Sequence, residues 1–212
     1  IESRLKQIEN DSNLPINDLW KYDLTMKEVN TVINSFKMRK APGFDNITAE
    51  CFMHCGPVTR RTILNLFNAI LRYEFIPRHF KRGILISIPK GQKSQLYRDN
   101  YRGITLLTVI SKLFEKCIMN RMNLWALENN VIINIQGAMQ SHCSSLHAAW
   151  VVKEVIADRT MRNSITHVVM LDIKKCFDTI WHDGVFLKLH EVGIRGKTWR
   201  ILRNMYQSFI CN

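Results

Sequence analysis

The sequence lacks the features that mark fibrous, membrane-spanning and secreted proteins. Only nine of its 212 residues are glycine and five are proline, which excludes a collagen-like or low-complexity chain. No apolar run approaches the roughly 18 residues that a membrane span needs. No Cys-x2-Cys pair occurs and no signal peptide stands at the polar start, so we expect neither a disulfide framework nor secretion. Because the first residue is Ile1, we expect the chain to be a fragment of a longer reading frame.

The remaining composition is that of a globular protein. Apolar residues make up 46% of the chain and charged residues 23%, which is enough apolar material for a core. The length favours a single domain with subdomains. We find no internal repeat, and no linker is long enough to separate two domains.

Positive charge is concentrated in one part of the chain. Thirty Lys and Arg residues against eighteen Asp and Glu residues give a net charge of +12, and residues 37–102 hold thirteen of the basic and four of the acidic side chains. Such a field attracts polyanions and releases their counterions, which makes nucleic acid the expected partner. On charge alone, a soluble protein with a high pI is an equally good interpretation.

One group of cysteine and histidine residues could belong to a metal site. Cys51, His54 and Cys55 have the spacing of one corner of a zinc site, but no second half of such a site follows nearby. Zinc sites need four ligands. We therefore interpret the two cysteines as ordinary thiols.

The first half of the chain begins with a polar segment and a helix. Residues 1–22 are predicted to be irregular. Thr25 and Glu28 have the spacing of a capping box just before an apolar stripe, which predicts a helix over about 26–39. Pro42 and the glycine after it should end that helix.

Apolar spacing predicts the remaining elements. A short β-branched run over residues 83–90 predicts a strand that ends in a basic loop. The further helices are expected around 63–71 with an end near Pro77, over 109 to about 128, from a cap at Ser144-Ser145, over 183–192 and over 197–209.

The sharpest local signal is an apolar segment that runs directly into an acid. Residues 167–171 predict a buried strand, and Asp172 follows at once. The carboxyl end of a buried strand opens onto a cleft, which is a good place for a metal ligand. Without its neighbours, a strand-end aspartate is more often a cap or turn residue.

Four blocks of the sequence follow one another along the chain, at residues 40–47, 88–90, 100–107 and 171–182. In their order and spacing they resemble the reverse transcriptase of non-LTR, LINE-type, jockey-like retrotransposons. The resemblance covers about residues 24–210. It implies an α+β, right-hand polymerase fold, mostly helical with a small antiparallel sheet. An irregular segment 1–22 would precede a partial domain 23–212, with fingers at about 23–160 and the start of an incomplete palm at about 161–212.

The resemblance also implies a catalytic centre that works by two-metal nucleotidyl transfer. Asp172 is similar to the family's first catalytic aspartate, and with the backbone carbonyl of Ile173 it would bind Mg²⁺, which prefers oxygen ligands. Phe177 falls where the family places an aromatic ring that excludes a 2′-hydroxyl from the nucleotide pocket. The alternative for Phe177 is an ordinary core residue.

Two basic residues resemble those of the fingers that close on the triphosphate. Lys90 and Arg102 would neutralise charge on the phosphate oxygens. The implied partners are an RNA template, a DNA primer and deoxynucleoside triphosphates, with no membrane; the sequence does not give the oligomeric state. The implied location is intracellular, in the nucleus and/or cytoplasm.

Other residues keep two interpretations. The block 40–47 could lie near the template path or could have a structural role, in which Asp45 satisfies free amides of the next segment. The remaining basic side chains contact the template backbone or face water; they are Arg60, Arg61, Arg78, Lys81 and Arg82.

The sequence departs from the family pattern in several places. Cys176 replaces a small residue, Gly103 replaces a proline and should loosen a turn, and residues 135–139 differ enough to make a template contact there doubtful. No Asp-Asp pair occurs anywhere in the chain. Since one carboxylate cannot hold two Mg²⁺ ions, we expect the chain as given not to polymerise DNA. The alternative function is a decayed or repurposed, non-catalytic RNA-binding module.

Overall fold

The computed structural model describes residues 1–10, 22–91, 94–132, 136–137, 143–173 and 175–211. They divide into a first unit, Ile1–Trp125 with His182–Asn212, and a second unit, Ala126–Trp181. The helices are α1 (Glu2–Asn10), α2 (Met26–Asn34), α3 (Ala49–Met53), α4 (Pro57–Tyr73), α5 (Val109–Glu128), α6 (Ser145–Met161), α7 (His182–Glu191) and α8 (Gly196–Tyr206). The strands are β1 (Arg82–Pro89), β2 (Tyr101–Leu107) and β3 (Ile210–Cys211).

The main core of the first unit is built from α2, α4, α5 and α8. The Phe67 and Phe114 rings lie 5.2 Å apart between centroids, and Phe80 meets Phe114 edge-on at 5.9 Å. Aromatic pairs in such tilted arrangements add to the stabilisation from burial alone. The other buried members include Val29, Val32, Ile33, Ile63, Ile70, Leu71, Leu113, Cys117, Ile118 and Ile201.

A second cluster lies between α1, α7 and α8. Leu5 is fully buried there beside Phe186, Ile194 and Trp199, and the Trp199 Nε1 donates to the Phe186 carbonyl at 2.7 Å. The irregular state predicted for residues 1–22 is therefore wrong for Glu2–Asn10, because burial of Leu5, with Ile8 packed against the same cluster, holds a helix that is otherwise polar. Residues 11–21 of that prediction lie outside the described residues.

The start of α2 confirms the predicted capping box. The Thr25 Oγ1 accepts from the Glu28 backbone N–H at 3.3 Å, and the Thr25 backbone N–H donates to the Glu28 Oε2 at 2.8 Å. The helix ends at Asn34, five residues before the predicted end. It ends early because the Ser35 hydroxyl donates to the Val32 carbonyl at 2.7 Å and competes with the next helical bond.

The sheet is small and mixed. Its strand order is β2-β1-β3. β1 and β2 pair antiparallel from Gly83 opposite Leu107 to Pro89 opposite Tyr101. The two residues of β3 pair parallel with the start of β1. The predicted antiparallel sheet is thus right for β1 and β2 and wrong for β3.

The buried strand predicted over residues 167–171 is wrong. These residues have no regular secondary structure and are exposed, and Leu171 is 92% accessible. Within the described part of the second unit no other strand runs beside them. An extended segment without a neighbour has no partner for its N–H and C=O groups, so apolar composition alone does not make it a strand.

The other predicted helices are confirmed with small shifts at their ends. α5 has the predicted bounds, and α4, α7 and α8 overlap the predicted segments. Ser144 caps α6 as predicted, and its hydroxyl accepts from the His147 N–H at 3.4 Å. None of the helices in the described ranges is long and apolar enough to cross a membrane.

Candidate nucleotide-binding and catalytic site

The β1–β2 hairpin brings two predicted site residues onto one face. The Lys90 N–H donates to the Asn100 carbonyl at 2.7 Å, which extends the ladder one step beyond the end of β1. Arg102 lies opposite Ile88. Because side chains alternate along a strand, Lys90 and Arg102 are diagonal neighbours on the same face, a relation that typically puts residues roughly 7 to 8 Å apart.

The two cations differ in how they are held. The half-buried Lys90 donates through Nζ to the Asp99 carbonyl at 2.8 Å. An ammonium has three N–H donors, so this bond leaves two of them for a ligand. Arg102 is exposed, and its side chain forms no hydrogen bond or ion pair with the described residues. The hairpin therefore presents a positive pair that can receive an anion.

Asp172 lies in the second unit at the end of the irregular apolar segment. It is exposed and forms no hydrogen bond or ion pair with the residues that the structure describes. Ile173 is exposed as well. The carboxylate is therefore open to solvent and is not held in packing, although the strand that was predicted to carry it is absent.

Phe177 sits in a tight turn whose backbone is well connected. The turn runs over Cys176–Asp178, and Thr179 closes it by donating its N–H and its hydroxyl to the Lys175 carbonyl at 3.1 and 3.0 Å. The Phe177 side chain is 77% exposed. The alternative interpretation of this ring as a core residue is therefore wrong.

The predicted site residues fall in both units. Lys90 and Arg102 belong to the first unit, and Asp172, Ile173 and Phe177 belong to the second. The assembly of the two groups into one active site stays a prediction. In the described ranges, no three His, Cys, Asp or Glu side chains gather as a metal-binding group.

The block 40–47 has a structural role at the base of the hairpin. A Cβ on Gly43 would lie 2.6 Å from the Thr108 backbone N, just after β2. The Arg82 guanidinium, at the start of β1, lies 4.7 Å from the centre of the Phe44 ring. Asp45 accepts from the Ile47 N–H at 3.3 Å, which confirms the predicted contact with a free amide. The sequence predicts the turn, but it carries no signal for these contacts with Thr108 and Arg82.

Several basic side chains predicted to face RNA or water are used inside the first unit. Arg60 donates to the Asn30 side chain and to the Met53 carbonyl, each at 2.8 Å. Lys81 donates to the Asn204 side chain, and burial lowers the pKa of Lys81. Arg61 and Arg78 remain exposed.

Three smaller predictions concern Gly103, the cysteines at 51 and 55, and residues 135–139. Gly103 lies inside β2 opposite Ser87, so the loosened turn predicted there is wrong, because the ladder continues through this residue. The Cys55 thiol donates to the Phe52 carbonyl at 3.0 Å, and the Cys51 sulfur lies 3.8 Å from the Thr48 hydroxyl. The departure at 135–139 falls mostly outside the described residues.

Comparison with known proteins identifies relatives. Residues 88–212 match the family profile described as reverse transcriptase (RNA-dependent DNA polymerase). The chain is 31% identical to a probable RNA-directed DNA polymerase from transposon BS of Drosophila melanogaster over 80% of this chain and 19% of that protein. It is 32% identical to the corresponding protein of the Drosophila melanogaster X-element, over 77% of this chain and 18% of that protein.

A third relative belongs to another fly species. It is the RNA-directed DNA polymerase from mobile element jockey of Drosophila funebris, 26% identical over 78% of this chain and 18% of that protein. The chain thus spans about a fifth of the length of the curated relatives it matches.

Proposed function

Because this chain belongs to the reverse transcriptase family, we propose that it forms part of a non-LTR retrotransposon RNA-directed DNA polymerase. Residues 23 to about 160 would be the fingers of a right-hand polymerase fold, and residues from about 161 the start of its palm. The observation that carries the proposal is the placement of Lys90 and Arg102 on one open face of the hairpin. The substrates would be an RNA template, a DNA primer and deoxynucleoside triphosphates.

In this proposal the hairpin face binds the triphosphate. The Arg102 guanidinium can donate to two phosphate oxygens at once, while the Lys90 ammonium acts as a compact charge. Both would neutralise the negative charge that develops on the leaving pyrophosphate. The solvent exposure of Arg102 leaves its donors open to such a ligand.

The second unit would contribute to the metal site. Asp172 and the Ile173 carbonyl offer oxygen donors, which suit Mg²⁺, and the Asp172 carboxylate has no partner among the described residues. When bound, Mg²⁺ supplies charge neutralisation at the reacting phosphate. These two donors fit one position of a two-ion site, and a second carboxylate would have to complete it.

Phe177 would select the sugar. Its exposed ring, held on a closed turn, is suited to contact a ligand. A bulky ring under the sugar would reject a 2′-hydroxyl by steric overlap and by loss of its solvation.

The first experiment measures binding of deoxyadenosine triphosphate to the chain. We expect Lys90→Ala and Arg102→Ala each to weaken binding by about tenfold or more, since each removes charge-assisted hydrogen bonds. Arg61→Ala, on the exposed side of α4, makes the same charge change and should have less than about a twofold effect. Equal effects of all three variants, or no binding by the unsubstituted chain, would refute the nucleotide site.

A second experiment tests polymerase chemistry. The chain replaces the matching segment of one of its relatives, and primer extension on an RNA template is measured. The chimera should extend the primer and Asp172→Asn should abolish extension, because a metal ligand is lost. The 212-residue chain alone should not extend it, since it contains no Asp-Asp pair.

The alternative function is RNA binding without chemistry, which the net charge of +12 favours. RNA affinity would then fall steeply with salt and would survive Asp172→Ala, while the chimera would be inactive. Either function, by family resemblance, implies work in the nucleus and/or cytoplasm.

A further inference from the structure

The loop between β1 and β2 is held by two side chains that stand directly before Arg102. The Asn100 Nδ2 donates to the Ser94 carbonyl at 2.7 Å, and the Tyr101 hydroxyl donates to the Gln95 carbonyl at 3.0 Å. The described loop residues 94–98 are exposed. Hydrogen bonds therefore fix the path of the described part of this loop, residues 94–100, since apolar packing contributes little to it.

The same loop supplies the group that holds Lys90. The Asp99 carbonyl accepts from the Lys90 Nζ at 2.8 Å, and the Asn100 carbonyl accepts from the Lys90 N–H at 2.7 Å. Lys90 is thus tied at its backbone and at the tip of its side chain. A lysine side chain loses much rotamer freedom when a ligand immobilises it, and this tether removes part of that loss before a ligand arrives.

Tyr101 cannot itself belong to the anion-binding face. It lies opposite Pro89, one step from both Lys90 and Arg102 along the ladder. Because successive side chains point to opposite faces, its ring lies on the face away from the two cations. Its hydroxyl therefore acts on the loop and not on a ligand of that face.

We propose that Asn100 and Tyr101 are positioning residues, which hold the loop so that the Asp99 carbonyl presents the Lys90 ammonium beside Arg102 to a triphosphate. This inference rests on the proposed function, because it assigns the triphosphate to the hairpin face. It adds two residues whose role is to order the site before the ligand binds.

The sharpest test removes one hydroxyl and compares it with a matched control. Tyr101→Phe deletes the bond to the Gln95 carbonyl. Tyr97→Phe removes a hydroxyl from the same loop that forms no hydrogen bond with the described residues. We expect Tyr101→Phe to weaken binding of deoxyadenosine triphosphate about fivefold and Tyr97→Phe to change it less than about twofold. Equal effects of the two variants would overturn the inference.

A double-mutant cycle shows whether Tyr101 acts through Lys90. In a Lys90→Ala background, Tyr101→Phe should have no further effect on triphosphate binding, because the tethered ammonium is gone. The same fivefold loss in both backgrounds would overturn the positioning role.

Amide exchange separates failure of this inference from failure of the proposed function. Tyr101→Phe should speed hydrogen exchange at the Lys90 amide several-fold relative to Tyr97→Phe, with no ligand present. If Lys90→Ala and Arg102→Ala leave triphosphate binding unchanged, the proposed function is refuted. The positioning role is then refuted as well, even if Tyr101→Phe speeds hydrogen exchange at the Lys90 amide. If those two variants weaken binding but Tyr101→Phe changes neither binding nor exchange, the positioning role alone is refuted.

Discussion

Helices α5 and α6 have similar apolar content and different surroundings. In the first unit, α5 buries Leu113, Phe114, Cys117 and Ile118. In the second unit, α6 buries none of its residues, and Trp150 is 60% exposed. The described part of residues 126–181 contains no buried side chain at all. Apolar spacing thus predicts where a helix forms, whereas burial also requires a partner surface of matching shape.

The largest expected effect is on core packing. Phe114→Ala should lower the free energy of unfolding by about 3 to 5 kcal/mol, because it leaves a cavity against Phe67 and Phe80. Trp150→Ala should lower it by less than about 0.5 kcal/mol, since that side chain is largely exposed. Urea unfolding followed by circular dichroism measures both.

A large loss of stability from Trp150→Ala would break the comparison between the two helices. It would mean that α6 is packed against a surface that its exposure does not reveal. A small loss from Phe114→Ala would mean that the first unit has no cooperative core.

The next effect concerns backbone contact at the base of the hairpin. Gly43→Ala should destabilise the chain by about 2 kcal/mol, because the new Cβ would lie 2.6 Å from the backbone N of Thr108, which cannot move aside cheaply. A Cβ on Gly137 in the second unit would meet no atom of the described residues within 4 Å, so Gly137→Ala should change stability by less than about 0.5 kcal/mol. Thermal unfolding of the two variants tests this, and equal shifts would refute the contact.

The sequence predicts those features of the fold that depend on residues close together in the chain. The capping box at Thr25 and Glu28 fixed the start of α2 because both partners are three residues apart. The prediction of a strand over residues 167–171 is wrong because strand formation depends on a neighbouring strand, which no local pattern reveals. The contact of Gly43 with Thr108 was also unpredictable, since it joins residues far apart in the chain.

The candidate site shows the same limit. Lys90 and Arg102 were identified from motifs, and their shared face follows from the register of β1 and β2. The roles of Asn100 and Tyr101 could not be read from the sequence, because their partners are carbonyl groups of a loop. Hydrogen bonds to backbone atoms depend on the path of the chain and not on the identity of the residue that accepts.

An effect of similar size distinguishes partly buried from exposed ion pairs within the first unit. Arg121 on α5 donates to both Glu28 oxygens, at 2.6 and 3.0 Å, and to the Tyr22 and Asp23 carbonyls. Arg121→Ala should lower the free energy of unfolding by about 2 kcal/mol, because it leaves these acceptors without their donor.

The matched control for Arg121 is the exposed pair of Arg72 with Asp23, whose closest atoms are 3.3 Å apart. Arg72→Ala should cost less than about 0.5 kcal/mol. The comparison fails if the two arginine variants unfold at the same urea concentration.

The smallest effect is a pH dependence with opposite signs at two glutamates. Burial alone would raise the pKa of Glu28, but hydrogen bonds from Arg121 and Thr25 outweigh it and lower that pKa below 4.5. Burial raises the pKa of Glu115 above 4.5, with partial compensation by Lys112. The unfolded chain therefore binds more protons at Glu28 and fewer at Glu115 than the folded chain does.

The sign of each contribution follows from that difference. The stabilisation by Glu28 is complete above about pH 4.5 and is lost as the pH falls through its lowered folded pKa, whereas Glu115 destabilises progressively as the pH rises above 4.5. Glu28→Gln should therefore cost on the order of 1 kcal/mol at pH 7 and less at pH 3, and Glu115→Gln should raise stability at pH 7 but not at pH 3. Urea unfolding at both pH values measures these changes in stability. If the two variants changed stability in the same direction at pH 7, the opposite pKa shifts of Glu28 and Glu115 would be refuted.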